Sequence, residues 1–249
     1  MFFPAIFVTL LLTATSFAIP SAKERFNERG ARRGAMRSSR PKVTNATHTD
    51  YSYNWAGAVQ NNPPNTWREV TGTFIVPSVS APAGESFAAA SAWVGIDGDT
   101  CVNAILQAGL DFIVEDGVVR VVPDYAYDFS GISFAAGDSV TVTVTATSMT
   151  TGIAQITNNS NGQSVSAEIS SPYALCQQDA EWIVEDFVEG GEYVPLANFG
   201  AVTFTNAVAT STAYGLAGPG GSTAFDIEQN GVVFTAVTIA YGDVFITYQ

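Results

Sequence analysis

From residue 51 onward one pattern recurs: short stretches of alternating apolar and polar residues, cut by tight-turn signals. Val140-Thr-Val-Thr-Val-Thr alternates strictly. Successive side chains on a strand point to opposite faces, so this is the period of a half-buried β-strand. Thr71-Gly-Thr-Phe-Ile-Val-Pro, Ala201-Val-Thr-Phe-Thr and Val244-Phe-Ile-Thr-Tyr read the same way. Asn61-Asn-Pro-Pro, Ala136-Gly-Asp, Asn161-Gly, Gly190-Gly, Pro219-Gly-Gly and Asn230-Gly separate them. No amphipathic helical period of useful length, internal repeat or linker follows residue 51. Many short strands between turns predict an all-β fold, a sandwich or jelly roll of one domain over 51–249. With 249 residues, 47% of them hydrophobic, the chain can bury a sizeable core.

Charge divides the chain in two. Eight of ten Lys and Arg precede residue 43, and only Arg68 and Arg120 follow. Those two face 21 Asp and Glu from residue 43 onward, a formal charge of −19. Such a body repels nucleic acid and anionic membrane, and repels itself near neutrality. Its carboxylates protonate in acid, so it suits acidic surroundings. The first 18 residues hold an apolar run ending in Ser16-Phe17-Ala18, a small-x-small cleavage site. They read as a secretory signal, although no Lys or Arg precedes the run. Residues 19–50 read as a basic propeptide, with Arg32-Arg33 as a processing site. A basic leader on an acidic body predicts an inhibitor held near neutral pH and released in acid. An unstructured linker is the plainer reading. A secreted, extracellular protein follows, with no membrane contact once the signal is removed, and a monomer is expected. Two cysteines, Cys101 and Cys176, fit one disulfide in an oxidising compartment. Asn45 and Asn158 open glycosylation sequons.

Elimination limits the chemistry. The single histidine, His48, lies in the leader. The body therefore has no Ser-His-Asp or Cys-His arrangement and no His-based zinc site, and two cysteines cannot build a Cys-rich one. No phosphate-cradling glycine loop is present. No metal or cofactor is expected. Carboxylates, amides, hydroxyls and aromatics remain. Three segments place such groups on one face by alternation. In Ser91-Ala-Trp-Val-Gly-Ile-Asp, Ala92, Val94 and Ile96 face a core while Trp93 and Asp97 face away. In Ile105–Phe112, Leu106, Ala108, Leu110 and Phe112 are apolar, and Gln107 and Asp111 lie opposite. In Ala180–Phe187, Glu181, Ile183 and Glu185 share a side. These faces are either solvated outer surfaces or one groove lined by Trp93, Asp97, Gln107, Asp111 and Glu185.

At these residues the chain resembles the eqolisins, the family of secreted, acid-acting, pepstatin-insensitive glutamic peptidases. The matching stretches are Asn54-Trp55-Ala-Gly-Ala, Ala92–Cys101, Ala104-Ile-Leu-Gln107, Asp128–Ile132, Gly137-Asp-Ser139, Val144–Ser148 and Ala180–Phe187, in that order. The resemblance runs from about Ser52 to the C-terminus. It implies two antiparallel sheets of about seven strands, a sandwich like the legume lectins and concanavalin A, with a cleft on a concave face. It implies a catalytic dyad of Gln107 and Glu185, with Trp55, Trp93, Asp97 and Asp111 around it. A disulfide between Cys101 and Cys176, a signal peptide and an inhibitory propeptide are implied too. Glu185 would activate a water and Gln107 would stabilise the oxyanion in a peptide or protein substrate.

The chain departs from the family in two places. Val118-Val-Arg-Val-Val-Pro123 stands where relatives carry an aromatic-rich run lining the cleft, and Arg120 reverses a charge there. The loop 188–193 is short and lacks cysteines found in some relatives. Other readings of the groove are an inactive paralogue, a carbohydrate- or peptide-binding sandwich, and a glycosidase pairing Glu185 with Asp97 or Asp111.

Overall fold

The computed structural model describes residues 49–124, 129, 131–186, 188–189, 192–213 and 215–249. The signal, all of the 19–50 segment but its last two residues, Asn45 and His48 lie outside the described residues. Strands make up the described chain. The first nine are β1 (Thr49–Ser52), β2 (Trp55–Asn61), β3 (Trp67–Ile75), β4 (Phe87–Ile96), β5 (Leu106–Glu115), β6 (Val118–Asp124), β7 (Ser139–Ala146), β8 (Thr151–Asn158) and β9 (Gln163–Ser170). The rest are β10 (Asp179–Glu185), β11 (Val188–Glu189), β12 (Glu192–Tyr193), β13 (Ala201–Ser211), β14 (Gly215–Ala217), β15 (Thr223–Gln229), β16 (Val232–Val233), β17 (Thr235–Ala240) and β18 (Asp243–Tyr248).

Two sheets stack face to face. The first runs β1-β15-β2-β10-β4-β5-β6, with β16 on β15. The second runs β17-β18-β13-β3-β7-β8-β9, with β14 on β13. Pairing is antiparallel except for β1, which lies parallel to β15. The expected sandwich of two sheets of about seven strands is what forms.

The second sheet shows why alternation was readable. In β7, buried and half-buried residues alternate along the whole strand. Val140, Val142 and Val144 enter the core. The intervening threonines join a hydroxyl ladder, with Thr71 to Thr143 and Thr73 to Thr141 each at 2.8 Å. The first sheet contributes Ala92, Val94, Ile96, Leu106, Ala108, Leu110, Phe112, Trp182 and Val184 to the same core. Trp182 ties the layers together, its Nε1 donating to the Thr71 carbonyl at 2.8 Å. The first sheet is also buried on its other side. Strand β10 is buried at every position, and β5 at all but its last.

The expected disulfide is present, joining Cys101 to Cys176 across 75 residues of chain. One sequon is corrected by the fold. Asn158 is fully buried at the end of β8. Its Nδ2, the atom a glycan would take, donates to the Ser133 carbonyl at 2.9 Å and to Asp138 Oδ2 at 2.7 Å. The folded chain does not present that amide for modification.

Candidate active site

On the side of the first sheet away from the core, strand registers build three rows. Trp55, Glu185, Ser91 and Asp111 are level across β2, β10, β4 and β5. Gly57, Ile183, Trp93 and Gly109 form the next row. Val59, Glu181, Gly95 and Gln107 form the third. Alternation thus carried the polar residues of three separate segments to one face, and pairing made that face continuous. Of the two readings open from sequence, the solvated outer surface does not hold, because Trp93, Gln107, Asp111 and Glu185 are buried on this face. Trp55, Val59, Trp93, Ile183 and Phe225 pack as an apolar cluster at its centre. Trp55 and Trp93 meet edge to face at 5.1 Å.

Trp93 organises the centre. One edge of its indole lies over Gly95, where a Cβ would come within 2.9 Å of Cζ3. Across the ring, Nε1 donates to Glu185 Oε2 at 2.9 Å. Glu185 Oε1 accepts from Asn54 Nδ2 at 3.2 Å. The carboxyl group, 1% exposed, therefore has a donor on each oxygen. Indole N–H has no acceptor function, so the carboxyl oxygen is the acceptor in that bond.

Gln107 is fully buried on the same face. Strand β4 lies between it and Glu185. Two strand spacings of about 4.8 Å and four residues at about 3.3 Å separate their backbone positions. Glu181 is level with Gln107, on the other side of Gly95. Its Oε1 accepts from Asp99 N at 3.2 Å.

Asp97 has a different task from cleft lining. Its oxygens accept from the backbone N–H groups of Gln177 at 2.7 Å, Gln178 at 2.9 Å and Asp179 at 3.3 Å. Asp179 answers in the opposite direction, accepting from Thr100 N at 2.7 Å and Cys101 N at 3.1 Å. The two loops joined by the disulfide are thus clasped reciprocally. Strict alternation would have left Asp97 in the groove. Strand β4 ends at Ile96, and Asp97 takes φ +67°, which turns the side chain off the strand's period. Burial raises its carboxyl above the ordinary aspartate value, against the lowering effect of those N–H donors.

Asn54, Asp186 and Gln229 were not assigned a role from sequence. Asp186, immediately after β10, is 1% exposed. Its N–H donates to the Asn54 carbonyl at 2.8 Å. Gln229 Nε2 donates to Asp186 Oδ2 at 2.6 Å and to the Tyr53 carbonyl at 2.9 Å. Burial pushes the Asp186 carboxyl up to about 8, and the neighbouring Glu185 adds to the rise. The one local signal was a third carboxylate in an otherwise apolar strand. Asn54 had only its place beside Trp55. Among the described residues no group of three or more His, Cys, Asp or Glu is placed to hold a metal ion.

The peptidase A4 family model matches residues 53–248. The chain belongs to the peptidase A4 family. Aspergillopepsin-2 of Aspergillus niger is 42% identical over 284 aligned positions covering all of both chains. Scytalidopepsin B of Scytalidium lignicola is 39% identical, over 83% of this chain and 84% of its own. A crystal structure of scytalido-glutamic peptidase with a transition state analog inhibitor superposes with a TM-score of 0.71 at 38% identity. That match covers 79% of this chain and 98% of the other. Peptidase A4 membership makes the protein an eqolisin, a peptide-bond hydrolase of the glutamic peptidase class. It sets aside the lectin and glycosidase readings of the groove.

Proposed function

We propose that the protein is a secreted acid endopeptidase in which Glu185 is the general base and Gln107 the oxyanion donor. The carrying observation is the buried Glu185 carboxylate with one donor on each oxygen, on the face that also bears Gln107. Ionised Glu185 takes a proton from water as the water attacks the scissile carbonyl. The Gln107 amide donates to the developing oxyanion, and an amide does not titrate in acid. Protonated Glu185 then returns its proton to the leaving amine. Trp55, Trp93 and Asp111 surround the substrate. The formal charge of −19 beyond residue 42 suits acid, where carboxylates lose their mutual repulsion. The basic segment 19–50 complements that charge and acts as the inhibitor near neutrality. The enzyme works as a monomer on unfolded protein and peptide substrates.

The test is digestion of a protein substrate at about pH 3 by the processed enzyme and by Gln107→Ala, Glu185→Gln and Glu181→Gln. Loss of an oxyanion donor costs about 100–1,000-fold, and loss of the base at least about 100-fold. A second reading has one observation in its favour: Glu181 is level with Gln107 across a glycine, whereas Glu185 is two rows away. If Glu181→Gln abolishes cleavage and Glu185→Gln does not, the base is Glu181. No cleavage by the processed wild type across about pH 2–6 would identify an inactive paralogue.

A further inference from the structure

We infer that a recess just beyond Gln107 receives an apolar side chain of the substrate, a few residues from the scissile bond, and gives the enzyme a preference for chains that carry one there. This rests on the groove that bears Gln107 being where peptides are cleaved. The recess, about 250 Å³, lies where the approach to β5 meets the turn between β7 and β8 and the segment after β9. Ile105, Leu106, Met149, Ile169, Tyr173 and Leu175 supply its large apolar side chains, and none of its lining residues is charged. Cavities for drug-sized ligands usually run to about 300–1,000 Å³, so this one suits a single large side chain.

The walls of the recess are preformed. Leu106 and Leu175 are buried and make its floor, while Tyr173, 65% exposed, stands at the mouth. Gly152 lets Leu106 seat against β8, since a Cβ there would lie 2.6 Å from Leu106 Cδ2. Leu175 N donates to the Met149 carbonyl at 2.7 Å and Ser171 N to the Thr150 carbonyl at 2.9 Å, which binds the two far walls to each other. The Cys101–Cys176 disulfide ties the segment before Ile105 to the residue after Leu175. A pocket ordered before binding loses little entropy when it is filled.

Ile105 joins the recess to the groove. It lines the recess and also packs against the cluster of Trp55, Trp93 and Ile183 at the centre of the groove. Ile105 Cδ1 and Trp55 Cη2 close together over Gly98, where a Cβ would come within 2.7 Å of the first and 3.1 Å of the second. An extended peptide advances about 3.3 Å per residue, so a chain that crosses Gln107 and continues over Ile105 brings a side chain to the recess within roughly two to four residues of its reacting carbonyl. The lining has no charge to titrate, so the preference holds in acid, where proteins unfold and expose the apolar side chains they otherwise bury.

The experiment uses peptides that differ only in carrying leucine or glycine at the second, third or fourth residue on either side of the cleaved bond. Cleavage in acid by the processed enzyme gives kcat/KM, and calorimetry gives binding to Glu185→Gln. At one of these positions leucine should raise kcat/KM and tighten binding about tenfold or more, the worth of burying such a side chain. Thr150 is exposed and lines the recess, so Thr150→Trp fills it from the rim, and the preference for leucine should vanish in both measurements. Met149→Ala enlarges the recess and should change the favoured residue from leucine to phenylalanine. Circular dichroism confirms the fold of each variant, and if Thr150→Trp does not fold, the switch in Met149→Ala decides. No preference at any position in the wild type, or one that both variants leave unaltered, overturns the inference. If the leucine peptide binds more tightly and Thr150→Trp abolishes the difference while the wild type cleaves nothing, the recess stands and the proposed hydrolysis falls.

Discussion

Trp93 Nε1 donates to Glu185 Oε2 at 2.9 Å, joining residues 92 apart in sequence on adjacent strands. The same indole rests over Gly95 and meets Trp55 edge to face. One side chain therefore supplies a donor to the carboxylate and the apolar floor between the two rows that carry Glu185 and Gln107.

Trp93→Phe separates these two contributions. Phenylalanine keeps an aromatic ring on the floor and removes the N–H. A hydrogen bond to a charged group is worth about 1.5–3 kcal/mol, so kcat/KM should fall roughly 10- to 100-fold. Steady-state kinetics on a peptide substrate at about pH 3 check this, and an unchanged rate would show that the bond is dispensable.

Gly95→Ala tests the space above β4. The added methyl would lie 2.9 Å from Trp93 Cζ3 and 3.1 Å from Glu181 Oε2. The buried ring has to tilt, and overpacking of this kind costs about 1–3 kcal/mol. A lower melting temperature together with reduced kcat is expected, because the tilt carries Nε1 away from Glu185. An active variant of wild-type stability would contradict the tight fit.

Asp186 predicts how stability depends on pH. Its folded value of about 8 lies above the ordinary aspartate value near 4. Between those values the folded state holds a proton that the unfolded chain has released. Stability is therefore complete below about pH 4, falls as pH rises, and levels off above about pH 8. The total is roughly 5 kcal/mol. Asp226, raised to about 6 chiefly by burial, adds a fall between about pH 4 and 6. Denaturant melts of wild type and Asp186→Asn across pH 3–8 check the assignment. The asparagine variant, which keeps an acceptor for Gln229, should lose most of the slope above pH 6. An identical slope in both proteins would remove Asp186 as its source.

Asp97→Ala should lower stability through three orphaned donors. The N–H groups of Gln177, Gln178 and Asp179 would be left without their acceptor. Each such buried group costs about 1–3 kcal/mol. A loss of several kcal/mol by thermal or chemical unfolding is expected. Asp97→Asn, which retains one acceptor oxygen, should lose less. Equal stability of Asp97→Ala and wild type would mean that the clasp is not needed.

Much of the site was legible because its placement obeys a local rule. Trp93, Gln107, Asp111 and Glu185 each sit an even number of residues from neighbours on the same face, and a regular strand preserves that count. Asp97 was misplaced by the same rule, since a positive φ at a strand's end breaks the period without altering the sequence pattern. Asn54 had no comparable signal. Its importance lies in a contact with a residue more than half the chain away.

The amino-acid sequence by itself determined which residues alternate, hence which could enter a core between two sheets, and it separated a basic leader from an acidic body. Tertiary structure decided that β10 lies between β2 and β4. That order brings Asn54 from one neighbour and Trp93 from the other onto the Glu185 carboxylate. Alternation is settled by residues two apart, whereas strand order is settled by which distant faces bury one another and satisfy their backbone hydrogen bonds.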